Sequence, residues 1–316
     1  MNRRETIEFL RSHDNYLILN HRRPDGDAVG SAAALCLSLR QMGKSASVWK
    51  NPETLPRYQS FLTGLETEQE PENGTIVSVD LSTEQLLPLN GTRYAGRIRL
   101  CIDHHISNTG YAQNSIVDPE SAACGEMLLE MLKELGPVTA EIANALYLAI
   151  STDTGCFQYA NVTAATFRAA AELKALGADA YAINYVMFGT KSIARLRMEA
   201  ALTESAQFYA HGKVCICCVT REMMDTLGAD EEDVDDLASF PRSILGVEIG
   251  VLIKELNTGE AKISVRTTGG CNASEICAHL GGGGHFGAAG AQVDEGMEPA
   301  VKRILEAIHA YGVELS

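Results

Sequence analysis

The sequence predicts an α/β protein. It has an N-terminal, mostly parallel sheet flanked by helices, followed by a smaller mixed α/β domain. Three observations carry this reading. Short apolar runs alternate with helix-length stretches through the first half, the pattern of βαβ units. Three of those apolar runs are followed within two residues by Asp or His. In the second half two strand-like runs flank the turn Asn257, Thr258, Gly259, a hairpin signal.

Taken in order, residues 15–19 form a short apolar run ending at Asn20, and residues 28–42 read as a helix closed by Gly43, the usual place for a C-terminal glycine. Residues 46–49, 75–79 and 98–102 are further strands, and residues 122–135, 139–151, 163–176 and 194–208 are helices. Residues 213–219, 247–256 and 261–266 are the strands of the second half. A helix over 273–280, a glycine-rich loop and a terminal helix over 301–311 follow. The expected organisation is a first domain over 1–190, a connecting helix within 191–210 and a second domain over 211–316, because no Pro/Gly/Ser-rich linker interrupts that region.

Composition narrows the function classes. Hydrophobic residues make up 46% of the 316 and charged residues 21%, enough apolar content for a real core. No apolar run is long enough to span a membrane, and residues 1–9 lack the apolar segment of a signal peptide, so the expectation is a cytoplasmic protein without a membrane partner. The nine cysteines form no CxxC pair. Cys215, Cys217 and Cys218 sit in an apolar run and read as small buried hydrophobes rather than metal thiolates. The net charge of −15 disfavours tracking along a long nucleic acid by its phosphates, which needs a basic stripe, but it does not exclude a small phosphate ester. The acidic run over 230–236 reads as solvated surface.

Four segments carry the chemistry. His21, Asp25 and Asp27 lie in a tight loop where the first strand meets the first helix; read alone, the aspartates are equally good helix caps. Asp80 follows the strand over 75–79. Asp103, His104 and His105 follow the strand over 98–102. Asp153 closes an apolar helix. If the strands are parallel neighbours, three of these segments share one sheet edge, where ligands bind in open α/β sheets. So many carboxylates in one place need cations, and mixed imidazole and carboxylate donors suit first-row ions such as Mn²⁺, with Mg²⁺ or Co²⁺ as alternatives. A carboxylate shared by two ions at about 3.5–4 Å is the arrangement of two-metal phosphoesterases. In the second half, Gly281, Gly282, Gly283, Gly284 and His285 form a backbone-rich anion site on one reading and a flexible connection on another. Arg266 is either a forked partner for the same anion or a surface arginine. Tyr185, Phe188 and Phe286 are candidates for base stacking, with core packing the favoured alternative.

The segments HRRPDGDAVGS, VSVDLS, CIDHH and STDTG resemble the four ordered motifs of the DHH phosphoesterase superfamily, and GGGGHFGAAG resembles the signature of the DHH-associated C-terminal domain. The resemblance spans nearly the whole chain. The length is similar to that of the nanoRNase and pAp phosphatase subgroup. It implies two Mn²⁺ ions, with His21 and Asp25 on one, Asp27, His104 and Asp153 on the other, and Asp80 between them. Asp103 would orient His104, and His105 would face the scissile phosphate. Arg266, Gly282, Gly283, Gly284 and His285 would hold the far end of a substrate in a cleft between the domains. The substrate classes implied are short oligoribonucleotides, pAp, and linear or cyclic dinucleotides, and a homodimer is left open. An inorganic pyrophosphatase and a non-catalytic nucleotide sensor are the rival readings.

Overall fold

The computed structural model describes residues 1–315, apart from the side chains of residues 235 and 236. Contacts divide the chain into two units, one over Met1–Thr190 and one beginning at Lys191.

The first unit holds six strands: β1 (Tyr16–Leu19), β2 (Ala46–Trp49), β3 (Glu66–Thr67), β4 (Thr75–Val79), β5 (Leu100–Asp103) and β6 (Ser115–Val117). They are all parallel, in the order β3-β2-β1-β4-β5-β6. The chain winds outward from β1 in one direction and returns to build β4 on its other side. The order therefore reverses between β1 and β4, which opens a crevice at the carboxyl ends of those strands. Seven helices belong to this unit: α1 (Arg3–Ser12), α2 (Gly26–Gln41), α3 (Gln59–Leu62), α4 (Cys124–Leu135), α5 (Ala140–Asp153), α6 (Ala164–Ala175) and α7 (Ala180–Asn184).

Side-chain alternation along the strands assigns two faces. Tyr16, Ile18, Val77, Val79, Leu100 and Ile102 pack with α2, α4 and α5 in the main core. Leu17, Leu19 and Ile76 pack on the opposite side with Trp49, Leu81, Leu87, Tyr94 and Ile98. That face is closed by 3₁₀ turns over Glu84–Leu86 and Leu89–Tyr94 rather than by long helices, a cover whose short period leaves no helical pattern to find in the sequence.

The second unit is also built on a six-stranded sheet: β7 (Gln207–Tyr209), β8 (Val214–Val219), β9 (Ile249–Glu255), β10 (Ala261–Thr267), β11 (Gly283–His285) and β12 (Ala288–Val293). The order is β11-β12-β10-β9-β8-β7. Only β8 and β9 pair parallel; the other neighbours are antiparallel. Helices α8 (Ile193–Ser205), α9 (Arg221–Leu227), α10 (Glu231–Asp235), α11 (Ala273–Ala278) and α12 (Met297–Ala310) complete it. One face packs on α11 and α12 through Ile276, Cys277, Ile304 and Ile308. The other buries Met198 and Leu202 of α8 against Cys215, Cys217 and Leu252. Helix α8 is thus built into the second core, and the helix expected to reach residue 208 stops at Ser205, where the chain turns extended and starts β7.

Two expectations change here. The glycine run is not a free loop. Gly283–His285 pair with β12 through Gly290, Ala289 and Ala288, so the motif is a β-hairpin at the sheet edge. A Cβ on Gly282 would lie 2.2 Å from the Gly290 carbonyl oxygen, so the approach that starts this hairpin requires glycine. The three aromatic side chains weighed as core packing are exposed instead: Tyr185 by 52%, Phe188 by 40% and Phe286 by 59%. The cysteines are all free; Cys215 and Cys217 are fully buried, as their apolar run implied, whereas Cys218, on the other face of the strand, is only partly buried.

Candidate metal centre

The carboxyl end of β1 delivers His21 through Asn20. The Asn51 side chain, just past β2, donates to Asn20 Oδ1 (3.1 Å) and to the His21 carbonyl (2.9 Å), which ties the two strand ends together. His21 Nδ1 lies 2.7 Å from the Arg22 carbonyl, a contact that suits an N–H donor there and turns Nε2 toward Asp25 Oδ1 (3.9 Å) and Asp80 Oδ2 (3.7 Å). Asp25 is the N-cap of α2, accepting from the Ala28 N–H at 3.0 Å, so the capping role and proximity to the cluster coexist.

Within the first turn of α2, Asp27 is buried and accepts from the N–H groups of Cys124 (2.7 Å) and Gly125 (3.0 Å) and from the Ser31 hydroxyl (2.9 Å). The first two are the opening amides of α4, whose own N-cap, Ala123, provides no side-chain bond. Asp27 thus satisfies an uncapped helix start and sits in its favourable field. Gly26 permits this: a Cβ there would lie 2.3 Å from Thr152 Oγ1, so only glycine lets the first turn of α2 press against the last turn of α5. That contact brings Asp27 near Asp153, the final residue of α5.

Asp80 follows β4 in a left-handed conformation, φ +51°, uncommon for a residue with a side chain and concentrated at functional positions. Its N–H donates to the Ile102 carbonyl of β5. The side chain is 2% exposed. Its Oδ1 lies 3.5 Å from both His104 Nε2 and His105 Nδ1, while Oδ2 faces His21. Oδ1 is buried and accepts no hydrogen bond. An uncompensated buried carboxylate oxygen is costly.

His104 places Nδ1 3.1 Å from the Ser121 carbonyl. Nε2 lies 3.7 Å from Asp27, 3.5 Å from Asp80 and 3.5 Å from Asp153. A backbone carbonyl on one ring nitrogen leaves the other suited to a metal. The Asp103 carboxylate, fully buried, is differently placed from expectation. The ring it holds is that of His105, at 2.7 Å from Nδ1, and its contact with His104 is to that residue's backbone N–H, at 2.9 Å. The strand end turns His104 toward Ser121, so a carboxylate at position 103 meets the next ring instead.

Three overlapping triads therefore bring donor atoms within 4.8 Å of one another: His21, Asp25 and Asp80; Asp27, His104 and Asp153; and Asp80, His104 and His105. The electrostatics are those of an overcrowded acidic site. Burial first, and then Asp27 and Asp25, push the Asp80 carboxyl well above the usual range. Burial and the Asp27 charge do the same to Asp153, which also sits at the negative end of the α5 dipole. Burial raises Asp27 too, against the pull of His104. Burial opposes protonation of the imidazoles, but their carboxylate neighbours prevail: Asp25 and Asp80 raise His21 to about 9, and Asp27, Asp80 and Asp153 raise His104 to about 9. Protons hold the cluster together where cations would do so better. The donor set and the orphaned Asp80 oxygen fit divalent metal ions.

In the second unit, Arg266 pairs with Ala288 across β10 and β12, and Ala288 pairs with His285 across β12 and β11. Directly paired residues project from the same face, so Arg266 and His285 share one face of that sheet. Ser121, Asn51 and Asn108 support the cluster and were not singled out in the sequence. A carbonyl has no residue-type signature, and an Asn three positions after a motif looks like any loop Asn.

Residues 15–150 match the DHH family, N-terminal domain, and residues 211–313 match the DHHA1 domain. A bifunctional oligoribonuclease and PAP phosphatase NrnA of Thermus thermophilus is 34% identical over 299 residues, covering 92% of this chain and 88% of that protein. The chain belongs to the DHH family. It is a metal-dependent hydrolase of the phosphoesterase type. A cyclic-di-AMP phosphodiesterase GdpP of Geobacillus thermodenitrificans is 26% identical, over 96% of this chain and 48% of that protein. Among solved structures, an exopolyphosphatase-related protein of Bacteroides fragilis matches with a TM-score of 0.83 and 25% identity, covering 98% of this chain and 96% of the other. No helix among the described residues is long and apolar enough to cross a membrane.

Proposed function

We propose that this DHH protein hydrolyses short oligoribonucleotides and pAp with two Mn²⁺ ions, releasing nucleoside monophosphates, or AMP and phosphate. The observation that carries the reading is Asp80: one oxygen faces His21, and the other, buried and without a hydrogen bond, faces His104. A carboxylate so placed belongs between two cations.

In this reading His21 and Asp25 would hold one ion, Asp27, His104 and Asp153 would hold the other, and Asp80 would serve both. When bound, such a pair supplies a water ionised near neutral pH and neutralises charge on the phosphate oxygens. The chain's own residues do the rest. The α4 amides hold Asp27 in place, and the Arg22 and Ser121 carbonyls aim the two imidazoles. His105, held at Nδ1 by Asp103, gives a proton from Nε2 to the leaving oxygen as the water oxygen bonds to phosphorus and the ester P–O bond breaks. Arg266, His285 and the hairpin at Gly283 and Gly284 take the far phosphate or sugar, so that substrate length is measured at that contact; the Gly282 N–H is not a donor for it, because it is already given to the Cys277 carbonyl at 2.9 Å. A small substrate explains how a chain of net charge −15 acts on RNA at all. Nine free thiols suit the reducing cytoplasm as the place of action.

The GdpP relative makes hydrolysis of linear or cyclic dinucleotides the second reading. Purified protein with Mn²⁺ and, side by side, short RNAs, pAp, linear and cyclic dinucleotides, and pyrophosphate tests the set. Release of monophosphates from short RNA and of phosphate from pAp is expected. Turnover of dinucleotides alone favours the second reading, and turnover of pyrophosphate alone overturns both. Binding without turnover of any of them identifies a sensor.

A further inference from the structure

Directly behind the Asp103–His105 pair lies a contact that the proposed chemistry leaves unassigned. Asp103 is fully buried. Its Oδ1 takes the His105 ring at 2.7 Å, the His104 N–H at 2.9 Å and the His105 N–H at 3.4 Å. Its Oδ2 accepts from Asn108 Nδ2 at 2.7 Å, a length typical of a charge-assisted bond. The Asn108 amide is held in one sense, because its Oδ1 accepts the Gly110 N–H at 2.8 Å, which leaves the NH₂ end facing Asp103. Its backbone N–H donates to the His105 carbonyl at 3.1 Å. The same NH₂ lies 3.5 Å from the Leu81 carbonyl, beside Asp80.

We infer that Asn108 is a positioning residue: it fixes the plane of the Asp103 carboxylate, and through it the orientation of the His105 ring toward the leaving oxygen. The inference rests on the phosphoesterase reading with His105 as proton donor. Its physical basis is directional. A carboxylate with a donor on one oxygen only can swing about its Cβ–Cγ bond, and carries the ring bonded to it through the same swing. With Asn108 on Oδ2, both oxygens are committed and the ring has one orientation. Removing such an outer partner typically costs about 10–100-fold in activity.

The test uses Asn108→Leu, of similar size but without the donor, and Asn108→Ala in case the first misfolds, alongside His105→Ala and the parent protein. Each is assayed with Mn²⁺ on a 5′-phosphorylated dinucleotide, whose ribose leaving group needs a proton, and on the p-nitrophenyl ester of a 5′-nucleotide, whose leaving group does not. Mn²⁺ affinity is measured by calorimetry. The expected result for both Asn108 variants is a kcat lower by about 10–100-fold on the dinucleotide, with KM, Mn²⁺ affinity and turnover of the nitrophenyl ester near the parent's. Equal losses on the two substrates, weakened Mn²⁺ binding in step with the loss, or parental kinetics overturns the role. If His105→Ala treats the two leaving groups alike, the proton-donor assignment falls. If the parent turns over neither substrate, the phosphoesterase reading falls, and the inference with it.

Discussion

Replacing Asp80 with asparagine separates the two things this side chain does. In the metal-free protein it is a buried carboxylate crowded by Asp27 and Asp25, with one oxygen unpartnered. A neutral side chain of the same shape relieves that cost, so metal-free Asp80→Asn should melt at or above the parent. With metal the order reverses. An ion present at 100 times its dissociation constant stabilises a protein by about 2.7 kcal/mol. The first unit spans 190 residues, for which 1 kcal/mol moves the melting temperature by roughly 2–4 °C. Saturating Mn²⁺ should therefore raise the parent's melting temperature by about 5–11 °C. Loss of the shared ligand that weakens binding 100-fold leaves only about 0.4 kcal/mol, roughly 1–2 °C. The assay is a thermal melt with and without Mn²⁺, paired with hydrolysis of pAp. A full Mn²⁺ shift in Asp80→Asn, or a large drop in its metal-free melting temperature, would refute the reasoning.

Three further outcomes are expected. The raised pKa values of His21 and His104 contribute stability that is complete below pH 6.5 and lost as pH climbs through about 9, and the raised carboxyls Asp27, Asp80 and Asp153 act in the same direction. The metal-free protein should thus melt lower at pH 9 than at pH 6.5, while the Mn²⁺-induced shift, measured by the same melts, grows across that window as protons stop competing. Gly26→Ala forces a methyl group to within 2.3 Å of Thr152 Oγ1 and should cost about 1–3 kcal/mol by denaturant unfolding, with weakened Mn²⁺ binding because Asp27 and Asp153 are spread. Arg266→Ala should raise KM for short RNAs severalfold and flatten the preference for length, read from product time courses; unchanged KM and preference would remove the second unit from substrate recognition.

Much of this protein was legible in one dimension because the information is local. The runs over 46–49 and 75–79 are bounded by the same residues in the fold, since short runs that carry Val, Ile or Trp between turn signals favour an extended, pleated conformation. His21, Asp80 and His104 were legible for a related reason: in a parallel sheet each strand end points to the same edge, so residue type and strand phase together nominate a site. Short edge strands such as β3 and β6, of two and three residues, carry too little pattern to detect, and the β11 hairpin is written in glycines, which have no side-chain period.

The sequence by itself determined the βα alternation, the donor types and their places at strand and helix ends. Only the tertiary structure decided that β1 and β4 are neighbours, that Asp103 holds His105 rather than the His104 ring, and that the opening amides of α4 grip Asp27. Those outcomes depend on contacts between segments tens of residues apart, whose strengths are set by distance and direction in space, and neither quantity is written in the spacing of residues along a chain.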